Sequence, residues 1–294
     1  MTCMHWKLIA ANCLIFSSLL VAPLATRAAN AQSITQSNSI HAAITSAAPT
    51  DANFLQWAND IDGQYIAWAE QSPTDSVHSQ WVTNLDSIFS QWTGHSGHPD
   101  DVFELWIAEV DAAFLSWKQS TSEGDNVYAQ WASVSGNIFA QWASHSSNKD
   151  PVFTMWASSR NNVFGMWAGW SGEFENVFPQ WVTQINGVYS QWATASAYKD
   201  DVFQQWITSE DTLFANWSIR TAFADSVYSQ RITLQNSIFN TWLTSSQQDV
   251  VICSQWRDRS NANFANWKAA SNHPGDVQAQ WDSTSQNIVS ICRF

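Results

Sequence analysis

Residues 100–120 read DDVFELWIAEVDAAFLSWKQS, and the spacing of their apolar side chains decides the fold. Val102, Phe103, Trp106, Ile107, Phe114 and Trp117 recur at intervals of three, four and seven, which places them on one face of an α-helix. A strand would throw Phe103 and Trp106 to opposite sides. The apolar arc is about 150° wide at about 100° per residue, so such a helix has neighbours on both flanks.

Outward from this stretch the pattern repeats. Trp57, Trp68, Trp81, Trp92, Trp106, Trp117, Trp131, Trp142, Trp156, Trp167, Trp181, Trp192, Trp206 and Trp217 stand at gaps that alternate between 11 and 14 residues, with one gap of 13 after Trp68. Arg231 takes a tryptophan's place, Trp242, Trp256, Trp267 and Trp281 keep step, and Cys292 fills the last slot. The chain is therefore a tandem array of ten units with a 25-residue period. Units of this kind bury a core only by stacking on one another. The unit is shorter than tetratricopeptide or ankyrin units and lacks their marker residues.

The two kinds of gap have different chemistry. Four residues after the second tryptophan of each unit stands Ser or Thr: Ser72, Ser96, Thr121, Ser146, Ser171, Ser196, Thr221, Ser246 and Ser271. Pro73, Gly97, Pro99, Gly124, Pro151, Gly172, Pro274 and Gly275 follow, so the chain breaks there. The 11-residue gap has no proline and is close to three helical turns, which a helix can run through. One helix per unit is expected near 51–72, 75–96, 100–121, 125–146, 150–171, 175–196, 200–221, 225–246, 249–271 and 275–292. The competing expectation is two short helices per unit, with turns at Asp62-Gly63 and Asn186-Gly187.

Six residues before the tryptophan slot, Asp or Asn occupies fifteen of twenty positions, from Asp51 to Asn261. Residues of this type suit helix caps and the positive end of the helix dipole, and Asp150-Pro151 reads as an N-cap followed by a first-turn proline. The two cysteines of the array are informative. Cys253 precedes the turn at His273-Pro274-Gly275 by about 20 residues and Cys292 follows it by about as many, so an antiparallel hairpin brings them together. A single continuous helix would hold them ~58 Å apart. A disulfide between them is expected, stapling a last unit that has Ile288, Val289 and Cys292 in the Val, Phe and Trp slots.

The address is written at the amino terminus. Lys7 precedes an apolar run from Leu8 to Ala25, and Ala29-Asn30-Ala31 supplies the small residues of a signal-peptidase site, which predicts a signal peptide over residues 1–31 and export. Residues 32–50 are rich in Ser, Ala, Thr and Gln without periodic hydrophobics and read as a flexible leader, and 51–294 as the helical repeat domain. After signal removal no segment is expected to span a membrane.

Charge excludes some partners. The full chain carries −13, and removing residues 1–31, which hold Lys7 and Arg27 and no acid, moves the balance to −15. Nucleic acid requires clustered Lys and Arg, and anionic membrane surfaces do too, so neither is expected. His95 and His98 near Asp100 and Asp101 read as a solvated turn and not as a metal site. No nucleophile elbow and no phosphate loop occurs. Neither a catalytic residue nor a cofactor is expected, and the chain reads as a non-enzyme.

Periodic Trp with Val and Phe reads as core. Trp170, beside Gly169 and off the register, is the candidate for an exposed ligand contact. The expected role is a secreted binding or interaction scaffold, an exported factor or surface adhesin that engages a protein partner or itself. The alternatives are an extracellular matrix or coat component, and a carbohydrate- or small-ligand-binding protein that uses exposed Trp.

Overall fold

A computed structural model describes residues 50–292. The expected signal peptide and all of the expected leader except Thr50 lie outside the described residues. Ten helices follow one another: α1 (Asp51–Gln71), α2 (Asp75–Thr93), α3 (Pro99–Ser120), α4 (Gly124–His145), α5 (Lys149–Trp170), α6 (Phe174–Ala195), α7 (Lys199–Ser218), α8 (Ala224–Ser245), α9 (Asp249–Ala270) and α10 (Pro274–Cys292). Each unit is one uninterrupted helix of 19 to 22 residues, and the pairs Asp62-Gly63 and Asn186-Gly187 lie inside α1 and α6. The two-helix expectation is thereby set aside, because an internal glycine costs only about 1 kcal/mol against a packed face many times larger.

The chain divides at His95/Ser96 into two compact units. The first, in its described part, is the antiparallel pair α1 and α2. The second holds α3 to α10, each helix packed on the one before and the one after. On α3 the buried set is Val102, Phe103, Trp106, Ile107, Val110, Ala113, Phe114 and Trp117, the face read from sequence with its middle filled in.

The recurrent Ser or Thr makes the corner. At most corners of the second unit its N–H bonds back to the carbonyl of the last tryptophan, as in Ser146 to Trp142, Ser171 to Trp167 and Ser196 to Trp192, each at 2.8 Å. Its hydroxyl accepts the N–H two residues on, for example from Asn148 at 3.0 Å, Glu173 at 2.9 Å and Tyr198 at 3.0 Å. The helix end and the turn are thus satisfied by one side chain. The first unit does this differently. Ser72 closes α1 onto Trp68 at 2.8 Å, and Thr74 caps α2 through Val77 at 3.4 Å.

The Asp and Asn slots are not caps, which corrects the sequence reading. Capping positions in the second unit are held by His98, Glu123, Asn148, Glu173, Tyr198, Phe223 and Gln248, none of which makes a side-chain cap bond. Asp150 is the second residue of α5 and Pro151 the third. Their side-chain oxygens instead accept indole N–H groups from the next helix. Asp100 takes Trp142 at 2.6 Å, Asp111 takes Trp131 at 2.6 Å, Asp150 takes Trp192 at 2.6 Å and Asn186 takes Trp206 at 2.6 Å. The same bonds in α1 and α2 join Asp51 to Trp92 and Asp62 to Trp81, both at 2.7 Å.

Rings follow the same direction. Phe103 stacks on Trp106 of its own helix at 5.8 Å and on Trp142 of the next at 6.0 Å. Phe114 does so with Trp117 and Trp131, and Phe153 with Trp156 and Trp192. From α3 to α8 each helix therefore has a forward face of Asp, Asn or Glu with Phe or Tyr, and a backward face made mostly of Trp. The array has a direction.

The residue types within the acceptor slots obey electrostatics. First-turn slots up to α8 are all acidic: Asp51, Asp75, Asp100, Asp125, Asp150, Glu175, Asp200 and Asp225. There the helix dipole favours a negative charge. Mid-helix slots lack that support, and four of them hold neutral Asn at 161, 186, 236 and 261, which accepts the same bond without burying a charge.

Candidate functional site

The candidate site residues divide into those that the ladder absorbs and those it leaves over. Cys253 of α9 and Cys292 of α10 are joined in a disulfide with Cα atoms 5.8 Å apart. Their separation of 39 residues equals that of Phe103 and Trp142, so the bridge stands where a ring stack stands elsewhere. Val250 fills the first-turn acceptor slot of α9 because its partner on α10, Cys292, has no indole N–H to offer. The signal was readable: Cys253 stands three residues before Trp256, in the Phe slot.

Trp170 is 45% exposed, whereas nearly all tryptophans of the ladder are buried. A polysaccharide therefore has almost no free indole face on the ladder to stack on. The Trp170 indole lies across Gly124, where any Cβ would stand 2.3 Å from it, and is tilted on Tyr128 at 6.2 Å. Gly124 is thus fixed by close approach. Nearby, Arg220 donates to the Ala168 carbonyl at 3.0 Å and places its guanidinium 5.5 Å from the centre of the Phe174 ring. Ile219 and Phe223, in the same corner as Arg220, are 80% and 64% exposed.

A buried polar cluster in α7, α8 and α9 was missed by sequence reading. The slot just before the mid-helix acceptor holds Ile61, Leu85, Val110, Ser135, Arg160, Ile185, Glu210, Gln235 and Ser260, and all are buried. Arg160 donates to the Ala132 carbonyl and the Ser135 hydroxyl on α4. Burial lowers its pKa to about 10, against the pull of Asp111, so it stays charged at neutral pH. Gln235 donates to Ser260 at 3.2 Å and accepts from Asn263.

Glu210 differs from these, because neither carboxylate oxygen has a hydrogen-bond partner. Burial, and secondarily Asp211, push its pKa up to about 8, while Arg231 acts the other way. At neutral pH it is a neutral acid. Arg231 itself stands in a Trp slot and reproduces the indole's bond, donating to Asp211 at 2.9 Å, and Arg259 donates to the other oxygen of Asp211. A cavity of about 10 Å³ beside Glu210, Arg231 and Gln235 has room for about one water molecule. This cluster has two acids and two arginines, but it is closed to any substrate of larger size.

The Trp156 indole is left out. The residue 20 before Trp156 is Gly136, and Trp156 Nε1 is buried with no partner. The Arg160 guanidinium lies 3.7 Å from where a Cβ at Gly136 would stand.

Two open grooves of about 530 Å³ each lie between alternate helices. One, over Trp181 and Tyr189, is lined by amides and hydroxyls of α5 and α7, among them Asn161, Gln204 and Thr208. The other, over Trp167, is lined by Asp125 of α4 and by Glu173 and Glu175 at the start of α6. Among the described residues no group of three or more His, Cys, Asp or Glu is arranged to hold a metal ion, and no helix is long and apolar enough to cross a membrane. No family model, curated protein or solved structure matches the chain.

Proposed function

We propose that the protein is an exported, non-enzymatic interaction scaffold whose ladder is structural and whose partner surface lies at the corners between helices. The observation that carries this reading is where the array departs from its own repeat. The Trp170 position carries a ring tilted on the preceding helix in other units too, His95 on Phe54 and His145 on Phe103, but here the ring is a tryptophan that stays 45% exposed, and Phe223, 64% exposed, stands where other units hold His98, Asn148 and Gln248. Exposed aromatics are the expected mark of an interaction surface.

The export part of the reading rests on the amino-terminal sequence and on the disulfide, which suits an oxidising compartment. Amino-terminal sequencing and light scattering of secreted material test both parts together. A scaffold gives a chain beginning near Gln32 that stays monomeric. Retention with Met1 intact would reject export, and assembly into large species would favour the matrix or coat reading instead.

A further inference from the structure

The groove at the amino-terminal ends of α4 and α6 carries the sharper assignment. We propose that it docks a Lys- and Arg-rich segment of a protein partner, an assignment that rests on the interaction reading above. Its volume is about 530 Å³, its floor is Trp167, and its walls carry Asp125, Glu173 and Glu175 with no basic side chain among the lining residues. Among the described residues none of the three carboxylates has an ion-pair partner; the ion pairs involve Asp211, Asp225 and Asp258.

The carboxylates are held in place. Asp125 accepts the Trp167 indole N–H at 2.6 Å, and Glu175 accepts that of Trp217 at 3.2 Å and the Thr221 hydroxyl at 2.5 Å. Asn176 donates to Glu173 at 3.3 Å. The two helix amino termini oppose a cation with about +0.5 charge each. Three carboxylates outweigh them and leave about −2 facing the groove, or about −1 once the neighbouring Arg220 is counted.

Beside the carboxylates stands the aromatic that a cation needs. Trp170 is seated on Gly124, the residue before Asp125, and keeps nearly half its surface free. An ammonium or guanidinium over an indole gains about 0.5 to 2 kcal/mol, and the adjacent Arg220 on Phe174 is the same contact made within the chain. Charge complementarity selects a basic occupant, and the exposed ring of Phe223 extends the surface beyond what a bare cation would use.

The test is fluorescence anisotropy of a labelled Lys-Arg hexapeptide with the exported full-length protein at about 0.15 M salt. Saturable binding is expected. The triple variant Asp125→Asn, Glu173→Gln, Glu175→Gln should weaken it at least about tenfold; Asn at 125 keeps an acceptor for Trp167, as Asn161 and Asn186 do for their indoles. Trp170→Ala should weaken it by about 2- to 30-fold, the range of the contact it loses. A charge-matched control, Asp101→Asn, Glu104→Gln, Asp201→Asn, removes three exposed acids from other corners and should change binding by less than about threefold.

Equal losses in the two triple variants would show long-range attraction to an acidic protein and overturn the site. Absence of saturable binding, or binding of spermine without the peptide, would overturn it as well. In those cases a monomeric exported protein leaves the interaction reading standing, whereas large assemblies in light scattering remove both.

Discussion

The pair α3 and α4 and the pair α9 and α10 solve one packing problem with different chemistry. Between α3 and α4, Trp142 is held by Phe103 and Asp100, and Trp131 by Phe114 and Asp111. Between α9 and α10 only one such contact survives. Trp281 keeps Asn261 at 3.1 Å and Phe264 at 6.3 Å, and the other is replaced by the Cys253–Cys292 bridge. The forward face of α10 has also been stripped, with Gly275 and Gln286 in the acceptor slots and Gln278 and Val289 in the ring slots. With that face stripped, α10 has indole contacts on one flank at most, so a covalent link takes over where dispersion and burial run short.

The largest expected difference between the two pairs lies in the tryptophans. Trp131→Ala should cost about 3 to 5 kcal/mol through the cavity it leaves, while Trp281→Ala, at a site only partly buried, should cost less than about half of that in denaturant melts. Equal costs would mean that burial does not distinguish interior from end. Cys292→Ser should cost about 2 to 4 kcal/mol, and hydrogen exchange should report the loss in α10 while α3 and α4 stay protected. Uniform loss of protection would contradict the view that α10 is held mainly by its staple.

A smaller effect tests the polar centre that α7 has and α3 lacks. Folding raises the Glu210 pKa from 4.5 to about 8, so between those values the folded chain holds a proton that the unfolded chain releases. Its contribution is greatest below about pH 4.5 and is lost as pH rises toward 8. Glu210→Gln should gain stability over the parent progressively across that window, by about 2 kcal/mol or more at pH 8. A pH-independent difference would place a charged Glu210 in the fold. The smallest change concerns Gly136, where α4 lacks the acceptor that α3 has in Asp111. Gly136→Asp should add about 1 kcal/mol by giving Trp156 Nε1 an acceptor, placing a carboxylate beside Arg160 and removing a helical glycine. Destabilisation on thermal melting would mean that Arg160 needs the space.

Helix number, helix spans and the cysteine pairing were legible because each depends on spacing along one chain. The role of the acceptor slots was not. Asp111 is six residues before Trp117 and also opposite Trp131 of the next helix, and in a strict repeat the local and the cross-helix relation have the same period. Cap and ladder therefore leave one sequence signature, and only geometry separates them. Arg160 and Glu210 were hidden for another reason: aligning repeats brings out what recurs, and their slot has no recurrent type, holding Ile61, Leu85, Val110 and Ile185 in some units and Ser135, Gln235 and Ser260 in others. Of the candidate groove, Trp170 was visible as an off-register ring, but its carboxylates were submerged among the ladder's own acids.

The directional ladder is the central claim, and a double-mutant cycle tests it most directly. Asp111→Ala combined with Trp131→Phe should show a coupling of about 1.5 to 3 kcal/mol, the worth of a hydrogen bond to a charged acceptor. Asp111→Ala combined with Trp181→Phe, an indole bonded to Asn161 and not to Asp111, should show none beyond about 0.5 kcal/mol. Equal couplings in the two cycles, or none in either, would contradict the account.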